Sequence, residues 1–281
     1  MLVTLNDVLK DAQQKKYAVG LFNTVNLEMA KGVIAAAEET KSPVIIGTAE
    51  VLLPYAGLEE LSSLLLPMAK KASIPVVLHF DHGLTADYVI KAMTLGFSSV
   101  MYDCSINTFE ENISKCKEMA KIAKIFGASI EAELGHVGSA GTDAIEGDEC
   151  DSIYTDPAQA KVFVELTNVD ALAIAIGTTH GPYKHKPILD VERLKKITVA
   201  IATPLVLHGG SGLSDEDFKN CISSGICKVN IFTDINVAAA KAAANSYQAG
   251  FGMTDIMGSI VEAVKNATVA KMKLFGCVNK A

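Results

Sequence analysis

Cysteine is scarce in this chain. The six present, Cys104, Cys116, Cys150, Cys221, Cys227 and Cys277, nowhere fall at C-x-x-C spacing, and six in 281 residues is too sparse for a disulfide scaffold. No run of about 18 uncharged apolar residues occurs, so no membrane-spanning helix is expected. Basic residues are in deficit: 25 Lys and Arg against 32 Asp and Glu leave a formal net charge of −7. That balance argues against nucleic acid or an anionic membrane surface as a partner, while still permitting a local pocket for a small anion. Proline is sparse at 8, and no Gly/Ser-rich linker or block of like charge marks a domain boundary. With 49% hydrophobic and 20% charged residues, disordered, collagen-like and coiled-coil architectures are excluded. The stretch from Met1 to Gln14 carries Asp7, Lys10 and Asp11 among apolar residues and reads as an amphipathic first helix, not a signal peptide. The expectation is a soluble, reduced, cytoplasmic protein.

What is present is a rhythm. Short apolar runs predict strands over Tyr17–Phe22, Pro43–Ala49, Pro75–Phe80, Ser98–Tyr102, Ala128–Glu133, Asp170–Ile176, Pro204–Leu207 and Ile226–Ile231. Several are apolar without alternation, as in Val76-Val77-Leu78, which is how strands buried on both faces of a parallel sheet read. Helical patterns follow each: Leu27–Thr40, Leu58–Ala72, Thr85–Leu95, Thr108–Phe126, Asp156–Asn168, Asp190–Ala200, Ser214–Ser223 and Thr233–Gln248, with Thr254–Phe275 last. Eight strands alternating with eight helices, in a chain close to the roughly 250 residues such a fold needs, predict an α/β protein made of one (β/α)8 TIM barrel over 1–281. A doubly wound open sheet is the alternative. The polar, glycine-containing segment Gly138–Ser152 breaks the rhythm and reads either as a functional lid or as a surface loop.

In a barrel of this kind chemistry collects just past the strand ends. His82, His180 and His208 follow the third, sixth and seventh strands; three imidazoles there can converge on one ion, although each alone reads equally as a hydrogen-bonded structural histidine. His79, on the same strand as His82, reads as core or as support behind the ligands. Asp81, beside His82, is placed either to move protons at a substrate or to orient a histidine. Asp103 and Glu133 add oxygen donors that are outer partners or an alternative metal position. His208-Gly209-Gly210-Ser211-Gly212 opens a helix, and its backbone N–H groups can approach an anion. The end of the eighth strand, Asn230-Ile231-Phe232-Thr233, joins this candidate substrate and phosphate set, as do Gly181 and Lys184; for Lys184 a solvated surface side chain is the plainer reading.

Five motifs then agree in order and spacing: Leu78-His79-Phe80-Asp81-His82-Gly83, Glu131-Ala132-Glu133-Leu134-Gly135, Gly177-Thr178-Thr179-His180-Gly181, Leu207-His208-Gly209-Gly210-Ser211-Gly212 and Lys228-Val229-Asn230. Together they resemble the class II, zinc-dependent ketose-bisphosphate aldolases, which include fructose- and tagatose-bisphosphate aldolases, over essentially the whole chain. The resemblance implies a catalytic zinc on His82, His180 and His208, an acid/base at Asp81 acting on the C4 oxygen, and a second metal position at Asp103 and Glu133. It also implies a dihydroxyacetone phosphate cradle at Gly181, Gly209, Gly210, Ser211, Asn230 and Thr233, with the monovalent cation that family members often add. The implied substrate is a small sugar phosphate and the implied assembly a homodimer or homotetramer.

Three positions depart from the family pattern. The lid lacks the usual Gly-Gly-x-Glu-Asp, leaving Asp143, Glu146 and Glu149 as candidates for handling the carbon-bound proton. Ala49 stands where a serine is usual, and Phe232 occupies the variable place after Asn230. A metal-dependent sugar-phosphate epimerase would share barrel, metal and phosphate grip but needs two carboxylates on opposite faces of one carbon, and an aldolase for another ketose 1-phosphate fits as well. An amidohydrolase-like zinc hydrolase should show His-x-His at the first strand end, where Asn23-Thr24-Val25 stands. A non-catalytic scaffold would tolerate loss of a ligand, and none is lost.

Overall fold

The computed structural model describes residues 1–139, 153–181 and 187–281. Eight strands form its centre: β1 Val19–Asn23, β2 Val44–Ala49, β3 Val76–Gly83, β4 Ser99–Tyr102, β5 Ser129–Leu134, β6 Ala171–Ile174, β7 Leu205–Leu207 and β8 Ile226–Ile231. They neighbour one another in the order β3-β2-β1-β8-β7-β6-β5-β4, and β3 pairs with β4 to close the ring. Every pairing around it is parallel. A closed parallel ring is a TIM barrel, and the closure excludes a doubly wound sheet, which has two open edges.

Helices α1 Leu5–Lys15, α2 Leu27–Thr40, α3 Leu58–Lys71, α4 Ala86–Thr94 and α5 Phe109–Phe126 belong to the first half. In the second half lie α6 Pro157–Thr167, α7 Val191–Ala200, α8 Asp215–Ser223, α9 Thr233–Ser246 and α10 Met253–Phe275. Their starts are set by side chains that satisfy free backbone donors. Asn26 accepts from Met29 N at 2.9 Å, Asp156 from Ala158 N and Gln159 N at 2.9 Å, and Thr108 and Glu111 form a reciprocal box. The last helix, α10, packs across α2 at Gly32, where a Cβ would come within 2.7 Å of Val264. Only glycine allows that approach.

The N-terminus differs from expectation. Leu2–Val3 is extended and pairs in parallel with Val76–Val77 of β3, so the amphipathic helix begins at Leu5. The pairing fills the side of β3 that β4 does not yet reach, because β4 starts opposite His79. The Asp7 carboxylate, accepting from Thr4 N and Oγ1 at 2.7 Å, then turns the chain into α1. The five cysteines among the described residues are free and buried.

Above the apolar barrel floor the interior turns polar. His79, Glu131 and Lys228 are wholly buried on β3, β5 and β8, which are not neighbours in the sheet, so their contacts cross the barrel axis. Branched apolar residues usually fill this place.

Candidate active site and metal centre

All the described site residues sit at the carboxyl ends of strands. β3 carries Asp81 and His82, and its register against β4 shifts between Phe80 and Gly83. Within that irregularity His82 has φ 41°, the left-handed region that a non-glycine residue occupies at a cost of about 1–3 kcal/mol. Such strain persists where the surroundings over-determine it, and here it turns the imidazole toward His208. His208 follows β7 directly. His180 is held by backbone pairing of Thr179–His180 with Gly138–Ser139. Gly209, at φ 66°, passes so close beneath Thr179 that a Cβ would collide with its carbonyl oxygen.

The three rings converge. Ring centroids lie 4.4 Å apart for His82 and His208, 4.7 Å for His82 and His180, and 5.8 Å for His180 and His208. One nitrogen from each can be chosen with all three within 4.8 Å of one another. The outer nitrogens of two rings are occupied: His82 Nδ1 lies 2.8 Å from Asp103 Oδ2, and His208 Nε2 lies 2.8 Å from Glu131 Oε1. A carboxylate can only accept, so each outer nitrogen carries a proton. The inner atoms, His82 Nε2 and His208 Nδ1, lie 2.8 Å apart, a contact in which His82 Nε2 donates a second proton to the lone pair of His208 Nδ1; a cation bound here would displace that proton and meet both lone pairs. A second donor set comprises His82, Asp103 and Glu133, in which the buried Glu133 Oε2 has no hydrogen-bond partner. Imidazole nitrogens converging on one point and, beside them, an orphaned buried carboxylate oxygen are the donor set a divalent cation requires, so the residues fit a metal such as zinc.

Asp81 is held differently. Asn23 Nδ2 donates to its Oδ2 at 2.7 Å and Asn230 Nδ2 to its Oδ1 at 2.9 Å, so both carboxylate oxygens accept from amides. Burial resists its ionisation, but His82, Lys228, His208 and His79 together hold it well below the usual carboxylate range. Burial likewise opposes charge on His82, yet Asp81, Asp103 and Glu133 around it push its pKa up to about 9. Burial, then the Asp103 charge, pushes Glu133 up to about 8. Burial and the positive His82 bring His180 down to about 3.

A cavity of about 530 Å³ opens above these groups. Asp81, His82, Asp103 and His180 form its polar floor; Gly181, Gly209, Gly210, Ser211, Asn230, Ile231, Phe232 and Thr233 line one side. The rest of the lining is mostly apolar, with Ala49, Val51, Leu52, Leu84, Ile106 and Val137 beside Asn23 and His136. His208 and Glu133 lie just behind the floor, and His79 is buried with Nδ1 2.7 Å from Ser99 Oγ, a supporting position. Lys184, Asp143, Glu146 and Glu149 lie outside the described residues. The sequence reading gave no role to Asn23, nor to Glu131 and Lys228 beyond their place in motifs. A polar residue at a barrel-facing position among apolar neighbours was the available signal.

A polar floor with three histidines able to hold a metal, at the mouth of a closed barrel, is the arrangement of an enzyme acting on a small polar substrate. Comparison with known proteins narrows the class. The model of the family described as Fructose-bisphosphate aldolase class-II matches residues 3–280. The chain is 39% identical to the probable fructose-bisphosphate aldolase of Bacillus subtilis and 37% to the fructose-bisphosphate aldolase of Thermus caldophilus. The Bacillus match covers 100% of this chain and 99% of the relative; the Thermus match covers 100% of both. The crystal structure of the YdjI aldolase from Escherichia coli K12 superposes with a TM-score of 0.89 at 40% identity, covering 100% of both chains. This chain therefore belongs to the class II fructose-bisphosphate aldolase family; it is an aldolase, a carbon–carbon lyase of a family that is typically zinc-dependent. No described helix is long and apolar enough to cross a membrane.

Proposed function

We propose that the protein cleaves a ketose 1,6-bisphosphate, fructose or tagatose, reversibly to dihydroxyacetone phosphate and glyceraldehyde 3-phosphate. The observation that carries this reading is the convergence of three histidines beside an ionised Asp81 on the floor of one cavity. Zinc held by His82, His180 and His208 would supply Lewis-acid stabilisation of the negative charge that develops on the dihydroxyacetone half. Asp81 takes the C4 hydroxyl proton, the C4 oxygen becomes the aldehyde carbonyl, and the C3–C4 bond pair passes to the dihydroxyacetone half. Asn23 and Asn230 fix the carboxylate for that transfer. The proton that returns to C3 is assigned to the lid candidates Asp143, Glu146 and Glu149. Asp103 orients His82, and together with Glu133 it offers the second metal position, with a monovalent cation beside the phosphate.

The phosphate of the dihydroxyacetone half would lie against Gly181, Gly209, Gly210, Ser211 and Thr233, with Lys184 as counter-charge. The start of α9 faces this loop: Asp234 N donates to Ser211 Oγ at 3.4 Å, so the helix adds the positive end of its dipole. The same reading includes a cytoplasmic homodimer or homotetramer built from one barrel domain over 1–281.

One observation favours a second substrate, another ketose 1-phosphate with a less hydroxylated aldehyde half. The wall opposite the phosphate side carries Ala49, Val51, Leu84, Ile106 and Val137, and Phe232 adds an apolar ring beside Asn230 on the phosphate side. A panel of ketose 1,6-bisphosphates and 1-phosphates, assayed for triose phosphate release with and without a chelator, decides between the readings. Chelator-sensitive release is expected; release that survives verified metal removal would end both.

A further inference from the structure

Lys228 is wholly buried on β8, and it does not line the cavity. A lysine removed from water is costly unless its charge is met, and this one is met twice. Its Nζ donates to Asn230 Oδ1 at 2.8 Å, and it stands 2.8 Å from Glu131 Oε2 as a charge contact. Each partner leads to a group in the proposed chemistry. Asn230 turns its Nδ2 to Asp81, and Glu131 turns its other oxygen to His208 Nε2.

We infer that Lys228 is a positioning residue that sets the Asp81 carboxylate through the Asn230 amide and the metal-facing nitrogen of His208 through Glu131. An asparagine side chain is nearly symmetric in shape, so sterics alone cannot choose which end faces Asp81. An ammonium group can only donate, so it selects the oxygen end of Asn230 and commits the NH₂ end to the carboxylate. Flipped, the amide would set oxygen against oxygen at Asp81. The same charge draws one oxygen of Glu131 across the barrel axis and leaves the other to accept the Nε2 proton of His208, so that Nδ1 keeps its lone pair. Lys228 and Asn230 are two residues apart on one strand and share its inward face, which lets one cation serve both arms.

The test compares Lys228→Met with Lys228→Met/Glu131→Gln, because the single variant leaves a buried carboxylate unpaired and can fail to fold. The double variant carries no unpaired charge and is expected to fold with an unfolding temperature near that of the wild type. In it, kcat should fall about 10–100-fold with KM almost unchanged, and zinc affinity, read by chelator competition on the stripped protein, should fall at least about tenfold. Adding Lys228→Met to Asn230→Ala in the Glu131→Gln background should cost little further kcat, since one acts through the other. A folded double variant with wild-type kcat and zinc affinity would overturn the inference and leave the lysine a charge balance for Glu131. A double variant that does not fold would also overturn it, assigning the lysine to the core. The inference rests on the proposed roles of Asp81 and His208. Zinc affinity is read without substrate, so an inactive substrate panel would sink that functional reading and leave the metal arm standing.

Discussion

Asp81 has both oxygens tied to amides and four cationic or imidazole groups nearby, which fits a carboxylate that accepts a proton in the reaction and gives it up afterwards. Asp81→Ala should lower kcat by about 10²–10⁴ while metal analysis still finds the ion, since the three ring nitrogens are untouched. Loss of the metal with normal turnover on re-addition would make Asp81 an orienting residue instead. Phe232 is half-buried and lines the cavity between Asn230 and Thr233. A substrate hydroxyl facing its ring forfeits a hydrogen bond worth about 1–3 kcal/mol, so Phe232→Asp should raise kcat/KM for fructose bisphosphate relative to tagatose bisphosphate. An unchanged ratio would make the ring a packing residue only. The histidines, Asp81, Asp103 and Glu133 were legible because each combines a chemical residue type with a strand-end position. Asn23 was not: a single asparagine after an apolar strand looks like ordinary loop punctuation, and only the strand order, with β1 and β3 flanking β2, brings it within reach of Asp81.

Strand and helix ranges were legible at the scale of elements because period and punctuation are local. The strand β6 ends at Ile174, two residues before the end of its apolar run, and β3 continues to Gly83, three beyond Phe80. Those shifts follow from which neighbour offers backbone partners, a tertiary matter. The pairing of Gly138–Ser139 with Thr179–His180 was not legible at all, since two-residue strands carry no periodic signal. That small pair makes a prediction. Gly209 supports Thr179 at a positive φ and without room for a Cβ, so Gly209→Ala should push the Thr179–His180 strand outward. Zinc affinity should drop while circular dichroism and the barrel's unfolding temperature change little. Unchanged zinc affinity would show that His180 is fixed from elsewhere.

For the whole molecule the barrel was legible and the polar axis was not, because patterning reports that a strand is buried but not what crosses the barrel. The proposed metal couples that axis to stability. An ion that binds the folded chain and not the unfolded one raises the unfolding temperature, so stripped protein should melt lower than zinc-loaded protein. The pH dependence of that gap has a definite sign. In the stripped protein His82 rises from 6.5 to about 9 and Glu133 from 4.5 to about 8, so the folded state binds more protons than the unfolded one between about 6.5 and 9. Stability of the stripped form therefore falls as pH rises through that window. The groups shifted the other way, such as His180 at about 3 and the depressed Asp81, lose their contribution only toward acid and stay constant in it. Zinc must displace the His82 proton to bind, so its affinity rises over the same range. Both effects widen the gap, which should grow from pH 6.5 to pH 9 in thermal melts of stripped and loaded samples at fixed free zinc. A gap that stays flat or narrows would mean that His82 carries no extra proton in the stripped protein, and the electrostatic account of this site would be wrong.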